Sequence, residues 1–182
     1  MGMPFFTAKT AVLWSLLVIF ARENEASETR RPEVPDAFKI YAHLDDVLAV
    51  SDINADGVLE CVEAVRTEYQ TQPKVATYLF LLKGHHGTEK KNVSVHIIPG
   101  TTPDKITIYF DNNNEQKFEA QYLYTDYETC AIVKGPYGVE RCLLLVSKDK
   151  ADNVPKSCIT NFADLCGVSV NLYSKDLCPE YE

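Results

Sequence analysis

The chain has 182 residues, enough for one domain with a sizeable core, and its net charge is −8 at neutral pH. Because an acidic protein repels phosphate backbones, we do not expect a nucleic-acid partner. Residues 1–21 have the pattern of a secretory signal, with basic Lys9 before an apolar run too short to span a bilayer. Cleavage after Ala21 and cleavage after Ala26 both fit. No second apolar run has spanning length, so we expect a secreted protein without a membrane partner.

The segment that follows the signal is charged and contains prolines. We interpret residues 22–35 as a disordered lead-in, because such a composition cannot bury a core. Asp36 is a good helix N-cap, and it predicts a short N-terminal helix in the stretch DAFKIYAHLDDVL. The folded domain is therefore predicted to cover residues 36–182.

From this helix to about Lys148 the sequence consists of short β-branched or aromatic runs separated by turn-forming residues. Several runs alternate strictly; for example, Ile106, Ile108 and Phe110 share one face. The eight predicted strands are Val47–Ser51, Val58–Tyr69, Lys74–Lys83, Asn92–Ile98, Lys105–Asp111, Lys117–Tyr124, Thr129–Lys134 and Arg141–Ser147. Eight sequential strands with short links predict an all-β protein, an eight-stranded antiparallel up-and-down barrel.

The C-terminal region has a helical pattern instead. After Pro155, apolar residues keep helical spacing from Ile159 to Cys166, and Gly167 is a suitable stop. We expect one C-terminal α-helix that packs against the barrel wall.

Residues 52–63, DINADGVLECVE, match the twelve-residue calcium loop of an EF-hand. Asp52, Asn54 and Asp56 occupy its first ligand positions. An EF-hand needs a helix on each side, whereas the residues after the loop alternate like a strand. The favoured interpretation is a hairpin turn at Asp56-Gly57 between the first two strands. Calcium binding remains the alternative.

Six cysteines and one glycosylation sequon fit an oxidising compartment. The cysteines predict three disulfides, and Asn92 in NVS is a predicted surface glycosylation site. His85 and His86 lie in a polar turn without a third ligand close in sequence, so we predict no metal site there. No nucleophile motif is present, and we expect neither catalysis nor a cofactor.

Several sequence words together resemble the tick salivary lipocalins, the group that includes the histamine-binding proteins. These words are DAFK at Asp36, LECV around Cys61, YETCAIV around Cys130, DNVPKSC before Cys158, and DLCPE around Cys178. The resemblance implies a closed lipocalin barrel with an internal ligand cavity. It also implies the disulfides Cys61–Cys178 and Cys130–Cys158, which leave Cys142–Cys166 as the third pair.

Histamine binders of this family hold a cation with buried carboxylates flanked by aromatic side chains. The resemblance aligns the expected acids with Ala120 and with Leu143 or Leu145, none of which is acidic. Glu63 and Asp111 are the candidate substitutes. The predicted pocket is otherwise apolar, although each of its residues also fits a packed barrel core. Its predicted lining is Ile108, Phe110, Phe118, Ala120, Tyr122, Leu143 and Leu145.

The resemblance therefore predicts a secreted, monomeric binding protein of tick saliva that sequesters a small host mediator and blunts inflammation. Histamine or another biogenic amine follows from the family, whereas a fatty acid or leukotriene follows from the missing acids. The alternative is a protein-interaction module that binds a host protein such as complement through its outer loops.

Overall fold

The structure, a computed structural model, describes residues 2, 33–85, 89–111 and 113–179, without the side chains of residues 113 and 114. Apart from Gly2, the predicted signal segment 1–21 lies outside the described residues, as do residues 22–32 of the predicted lead-in and His86. The contacts within the chain divide it into two units, Met1–Glu33 and Val34–Glu182. The second unit contains all the helices and strands described below. No helix in the described ranges is long and apolar enough to cross a bilayer.

The described chain forms a closed antiparallel barrel flanked by two α-helices. In chain order the elements are α1 (Ala37–His43), β1 (Asp46–Asp52), β2 (Glu63–Thr71), β3 (Lys74–Leu82), β4 (Lys91–Pro99), β5 (Lys105–Phe110), β6 (Asn113–Thr125), β7 (Cys130–Tyr137), β8 (Val139–Ser147), a 3-10 helix (Lys148–Asn153), α2 (Lys156–Cys166) and β9 (Val170–Asn171). Consecutive strands from β2 to β8 pair with each other, and β1 pairs with both β2 and β8, which closes the sheet. The predicted eight-stranded barrel with a short N-terminal helix and a C-terminal helix is thereby confirmed.

Strand β8 is apolar on both of its faces. In β8, Leu143 and Leu145 face the barrel interior, whereas Leu144 and Val146 belong to a second core on the outer side. Helix α2 covers that outer core with Phe162, which is buried against it. This double burial explains why β8 is an almost continuous apolar run instead of an alternating one.

Helix α1 packs across one end of the barrel, where polar side chains from the strands hold its backbone. Asp36 caps the helix as predicted, accepting a hydrogen bond from the Phe38 N–H at 3.0 Å. The Tyr69 hydroxyl donates to the Phe38 carbonyl at 3.0 Å, and the Tyr78 hydroxyl donates to the Leu44 carbonyl. Phe38 itself is buried in the interior core, so the helix closes this end of the barrel.

Three disulfides join the C-terminal region to the barrel. They are Cys61–Cys178, Cys130–Cys158 and Cys142–Cys166, the pairs that the resemblance implies. Helix α2 ends at Gly167 as predicted, because this residue has a φ of 84° and its N–H bonds the Ala163 carbonyl at 3.0 Å. A two-residue strand, β9, then pairs with the end of β1. Neither β9 nor the 3-10 helix was predicted.

The prediction that the second strand begins at Val58 is wrong, and so is the tight hairpin turn before it. Strand β2 begins at Glu63, and residues 53–62 form a long loop in which Gly57 has a φ of 75°. Leu59 and Val62 are buried in the core, and Cys61 adopts a φ of 55° that a strand does not permit. The apolar alternation that indicated a strand comes from loop side chains packed against the barrel.

The turn between β6 and β7 depends on one carboxylate. Asp126 accepts hydrogen bonds from the backbone N–H groups of Glu128, Thr129 and Cys130 at 2.8–3.0 Å, and also from the Thr129 hydroxyl. Burial raises the pKa of Asp126, but these hydrogen bonds outweigh burial and hold the pKa below its ordinary value of 3.8. The ionised form of Asp126 therefore stabilises the folded protein.

We predict that Asp126→Asn lowers the free energy of unfolding at pH 7 by about 1–3 kcal/mol. Because the folded pKa is depressed, the wild-type contribution is complete above the ordinary pKa and is lost as pH falls through the folded pKa. The difference between the two proteins in urea denaturation should narrow below about pH 4. Asp164→Asn, on the exposed surface of α2, is the matched control. A difference that persists unchanged into acid would contradict this role.

Candidate functional site

Two cavities lie among the described residues inside the barrel. The larger of these two has a volume of about 90 Å³ and is called here the larger cavity. Its wall is contributed by every strand from β3 to β8 and by one residue of the loop 53–62. The described lining residues are Leu59, Phe80, Val95, Ile97, Ile106, Ile108, Phe110, Ala120, Tyr122, Val133, Gly135, Pro136, Tyr137, Arg141, Leu143 and Leu145. Apart from two tyrosines and one arginine, these side chains are apolar.

A smaller cavity of about 50 Å³ lies between the larger cavity and helix α1. The two cavities share the lining residues Phe80, Ile97, Tyr122 and Leu145, so only side chains divide them. Tyr41 of α1 also lines the smaller cavity, and its buried hydroxyl interacts with the neighbouring Tyr122 hydroxyl without a hydrogen bond of good geometry to any described group. The barrel interior is thus one apolar space partitioned by a few large side chains.

The tyrosines of the interior are uncharged at physiological pH. Burial raises the pKa of Tyr122 to about 12, and burial together with the neighbouring Tyr122 raises the pKa of Tyr41. Burial also raises the pKa of Tyr78. Their hydroxyl groups offer hydrogen bonds to a ligand but no negative charge to a cation.

Most of the residues predicted to line a pocket lie on its wall. Ile108, Phe110, Ala120, Tyr122, Leu143 and Leu145 all line the larger cavity. Phe118 is half-buried and is not part of this lining; its ring packs against Phe110 with the ring centres 5.9 Å apart. The structure thus brings six of the seven predicted apolar residues together around one space.

The two candidate acids lie elsewhere. Glu63 pairs with Lys148, the two charged atoms being 2.5 Å apart, and its neighbour Ala64 is the residue that faces the barrel core. Asp111 is exposed and pairs with His96, again at 2.5 Å. Neither carboxylate lines either cavity. Among the described lining residues of both cavities there is no acidic side chain.

Sequence reasoning missed Arg141, the charged residue of the larger cavity. Its side chain is 2% exposed. The Nη1 group donates to Asp52 and the Nη2 group to Asp56, each at 2.5 Å, and Nε donates to the Tyr137 carbonyl at 3.3 Å. The alternation of β8 contained the signal, because Arg141 shares the face of Leu143 and Leu145, which were predicted to point inward.

The contacts of Arg141 explain why residues 52–63 carry the aspartates that match the calcium pattern. Asp52 and Asp56, the first and fifth positions of the calcium pattern, bind the guanidinium of Arg141 instead of converging around a metal ion. The Asn54 side chain accepts the Asp56 N–H within the loop at 3.0 Å. The loop connects strands β1 and β2 and has no flanking helices, so the EF-hand geometry is absent from the described residues around it.

One further group of side chains has the composition of a metal site. Asp126, Cys130 and Cys158 offer oxygen and sulfur atoms that lie within 4.8 Å of one another. The two cysteines form a disulfide with each other, so neither supplies the thiolate that binds metals. This group is therefore structural.

The family model described as tick histamine binding protein matches residues 47–180 of the chain. This range contains the whole barrel and helix α2, and it exceeds half of the chain. A comparison with curated protein sequences gave no match.

Solved structures share the fold at low sequence identity. The serotonin complex of AM182 has a TM-score of 0.60 at 16% identity, covering 80% of this chain and 94% of the other. Japanin from Rhipicephalus appendiculatus bound to cholesterol has a TM-score of 0.52 at 14% identity, covering 77% and 95%. Lobster apocrustacyanin A1 has a TM-score of 0.53 at 11% identity, covering 78% and 87%. At these identities the similarity shows the fold alone.

We predict that Asp52→Ala lowers the free energy of unfolding by about 3–5 kcal/mol, because it leaves the buried Arg141 without its fully buried partner. Asp56→Ala should cost no more than about 1 kcal/mol, because the Asp56 side chain is 34% exposed. Urea denaturation of both variants checks the order. Equal losses, or a larger loss for Asp56→Ala, would contradict it.

We also predict that millimolar calcium leaves the protein unchanged relative to EDTA. Arg141 already binds the carboxylates of Asp52 and Asp56, and a calcium ion would have to displace this buried guanidinium. Thermal unfolding followed by circular dichroism tests this prediction. A rise in the unfolding temperature with calcium, lost in Asp56→Ala, would restore the calcium interpretation.

Proposed function

The chain belongs to the tick histamine-binding protein family, a group of lipocalins, and we propose that it captures a small, largely apolar ligand inside its barrel. One observation carries the proposal: the larger cavity has an apolar wall without a carboxylate among its described residues. A lipid mediator with a short or folded chain suits such a wall better than a biogenic amine does. Histamine, the ligand that the family name suggests, is the alternative.

The argument against an amine rests on desolvation. Moving an ammonium group out of water costs several kcal/mol unless a carboxylate or several strong acceptors replace the water. The positions that the resemblance assigns to family acids are occupied by Ala120 and by Leu143 or Leu145, which line the larger cavity. The nearest carboxylates, those of Asp52 and Asp56, are already bound to the guanidinium of Arg141.

The size of the interior bears on the kind of ligand. Drug-sized ligands occupy pockets of roughly 300–1,000 Å³, well above the larger cavity. Because only side chains divide the two cavities, we propose that ligand entry reorients Phe80 and merges the spaces. A ligand that reaches the far end would meet the Tyr41 hydroxyl, which can donate a hydrogen bond of good geometry to a ligand acceptor.

The wider role follows from binding alone. We propose a secreted protein that holds its ligand by affinity and abundance, without turnover, and so removes a host mediator at the tick bite. The three disulfides suit an extracellular protein. Asn92 is exposed on β4, which suits the proposed glycosylation there.

We predict that Ile108→Trp fills the larger cavity and weakens binding by about tenfold or more, while the barrel stays folded. Thr107→Trp, whose side chain lies on the opposite face of the same strand, is the matched control. The readout is the fluorescence of 1-aminoanthracene, an uncharged apolar probe, titrated into each oxidised protein. Far-UV circular dichroism verifies folding.

The pattern of losses decides between the interior and the outer surface. Weaker binding in Ile108→Trp alone supports capture inside the barrel. Equal binding in the two variants, or loss only in Thr107→Trp, would contradict the proposal and move attention to a surface site.

A further inference from the structure

We infer that Arg141 selects ligands by their head group, accepting a carboxylate and excluding an ammonium group. The inference rests on the proposed function, because it concerns the same cavity. Arg141 is the only charged residue among the described residues that line the larger cavity. The carboxylates of Asp52 and Asp56 bind its guanidinium, so an anion can take the place of one of them, whereas an ammonium group cannot.

The geometry of the guanidinium leaves donors for a ligand. A guanidinium has five N–H groups. The hydrogen bonds to Asp52, Asp56 and the Tyr137 carbonyl use one N–H on each of its three nitrogens. Each terminal nitrogen therefore has a second N–H that these three bonds do not use. A ligand carboxylate that takes the place of Asp56 can accept the N–H that Asp56 releases, and a second hydrogen bond to the same guanidinium would add strength and orientation.

The two acidic partners of Arg141 are not equivalent. Asp52 is completely buried, and it also accepts the N–H groups of Ile53 at 2.7 Å and Cys142 at 3.3 Å. It is thus a fixed counterion. Asp56 lies in the loop 53–62 with a side chain that is 34% exposed, so water can solvate it once it leaves Arg141. A ligand carboxylate can replace Asp56 at the guanidinium without changing the charge balance of the buried group.

The surroundings of Arg141 fit the head of an apolar acid. The Tyr137 ring lines the same cavity and packs against Phe110 with the ring centres 5.6 Å apart. Burial raises the pKa of the Tyr137 hydroxyl, so this tyrosine is uncharged at pH 7. A carboxylate next to Arg141 would thus lie beside the guanidinium, with apolar walls for its hydrocarbon part.

The test compares three ligands that differ only in the head group: octanoate, octan-1-ol and octylammonium. Each is titrated at pH 7 against the oxidised wild-type protein by displacement of 1-aminoanthracene. We expect octanoate to bind about tenfold more tightly than the alcohol, and octylammonium to bind most weakly. Equal affinity for acid and alcohol, or a preference for octylammonium, overturns the inference and leaves the proposed function standing. If none of the three displaces the probe, the proposed function fails and the inference falls with it.

A variant then tests the exchange with Asp56. Asp56→Asn removes the competing carboxylate from Arg141, so octanoate should bind severalfold more tightly while the affinity for octan-1-ol stays the same. Asp164→Asn, which removes an equal charge from the exposed side of α2, should change neither affinity. An unchanged or weaker affinity for octanoate in Asp56→Asn would contradict the exchange. The comparison uses ratios of affinities within each folded variant, so a general loss of stability does not mimic the result.

Discussion

The buried ion pair between Arg141 and Asp52 is the interaction that holds together the end of the barrel where β1, β8 and the loop 53–62 meet. Both side chains are almost entirely removed from water, so neither charge is tolerable without the other. The pair joins the beginning of β8 to the end of β1, and Arg141 extends the connection to Asp56 in the loop 53–62. That loop supplies Leu59 to the wall of the larger cavity. It also supplies Cys61 to the disulfide with Cys178, the one that joins the most widely separated residues in the sequence. Arg141 thus contacts β1 and the loop 53–62 and also lines the larger cavity.

The opposite end of the barrel is organised by a different chemistry. Helix α1 inserts Phe38, Ile40 and Tyr41 into the core, and tyrosine hydroxyls from β2 and β3 bind its carbonyl groups. The interior between the two ends is apolar, with uncharged hydroxyls near α1 and the guanidinium of Arg141, bound by Asp52 and Asp56, near β8. The ligand that we propose for such an interior is amphipathic, with an anion at its charged end. The interior departs from the carboxylate-lined cavity that the family name leads one to expect.

Much of the fold could be predicted from local pattern. Residues such as Ile106, Ile108 and Phe110 alternate because one strand face is buried, and Asp36 and Gly167 mark helix ends through backbone chemistry that needs no tertiary information. The loop 53–62 could not be predicted in this way. Its residues alternate like a strand, but Cys61 is drawn to Cys178 and Leu59 to the core, and both contacts are made with distant parts of the chain.

The candidate site shows the same division. The resemblance implied which strand positions face inward, and six of those residues line the larger cavity. Alternation along β8 then places Arg141 on the same face as Leu143 and Leu145. The partners of the charged residues do not follow from alternation. Glu63 and Asp111 were candidate ligands until the structure paired them with Lys148 and His96, and these pairs depend on strand neighbours that only the closed barrel defines.

We propose that the barrel interior favours apolar and anionic ligands over amines. Calorimetric titration of the oxidised protein with histamine distinguishes these classes. We expect no saturable heat at micromolar protein, because no described carboxylate lines the interior and the nearest acids, Asp52 and Asp56, are bound to Arg141. Tight, saturable binding of histamine would overturn this preference and would require an acid within reach of the bound amine.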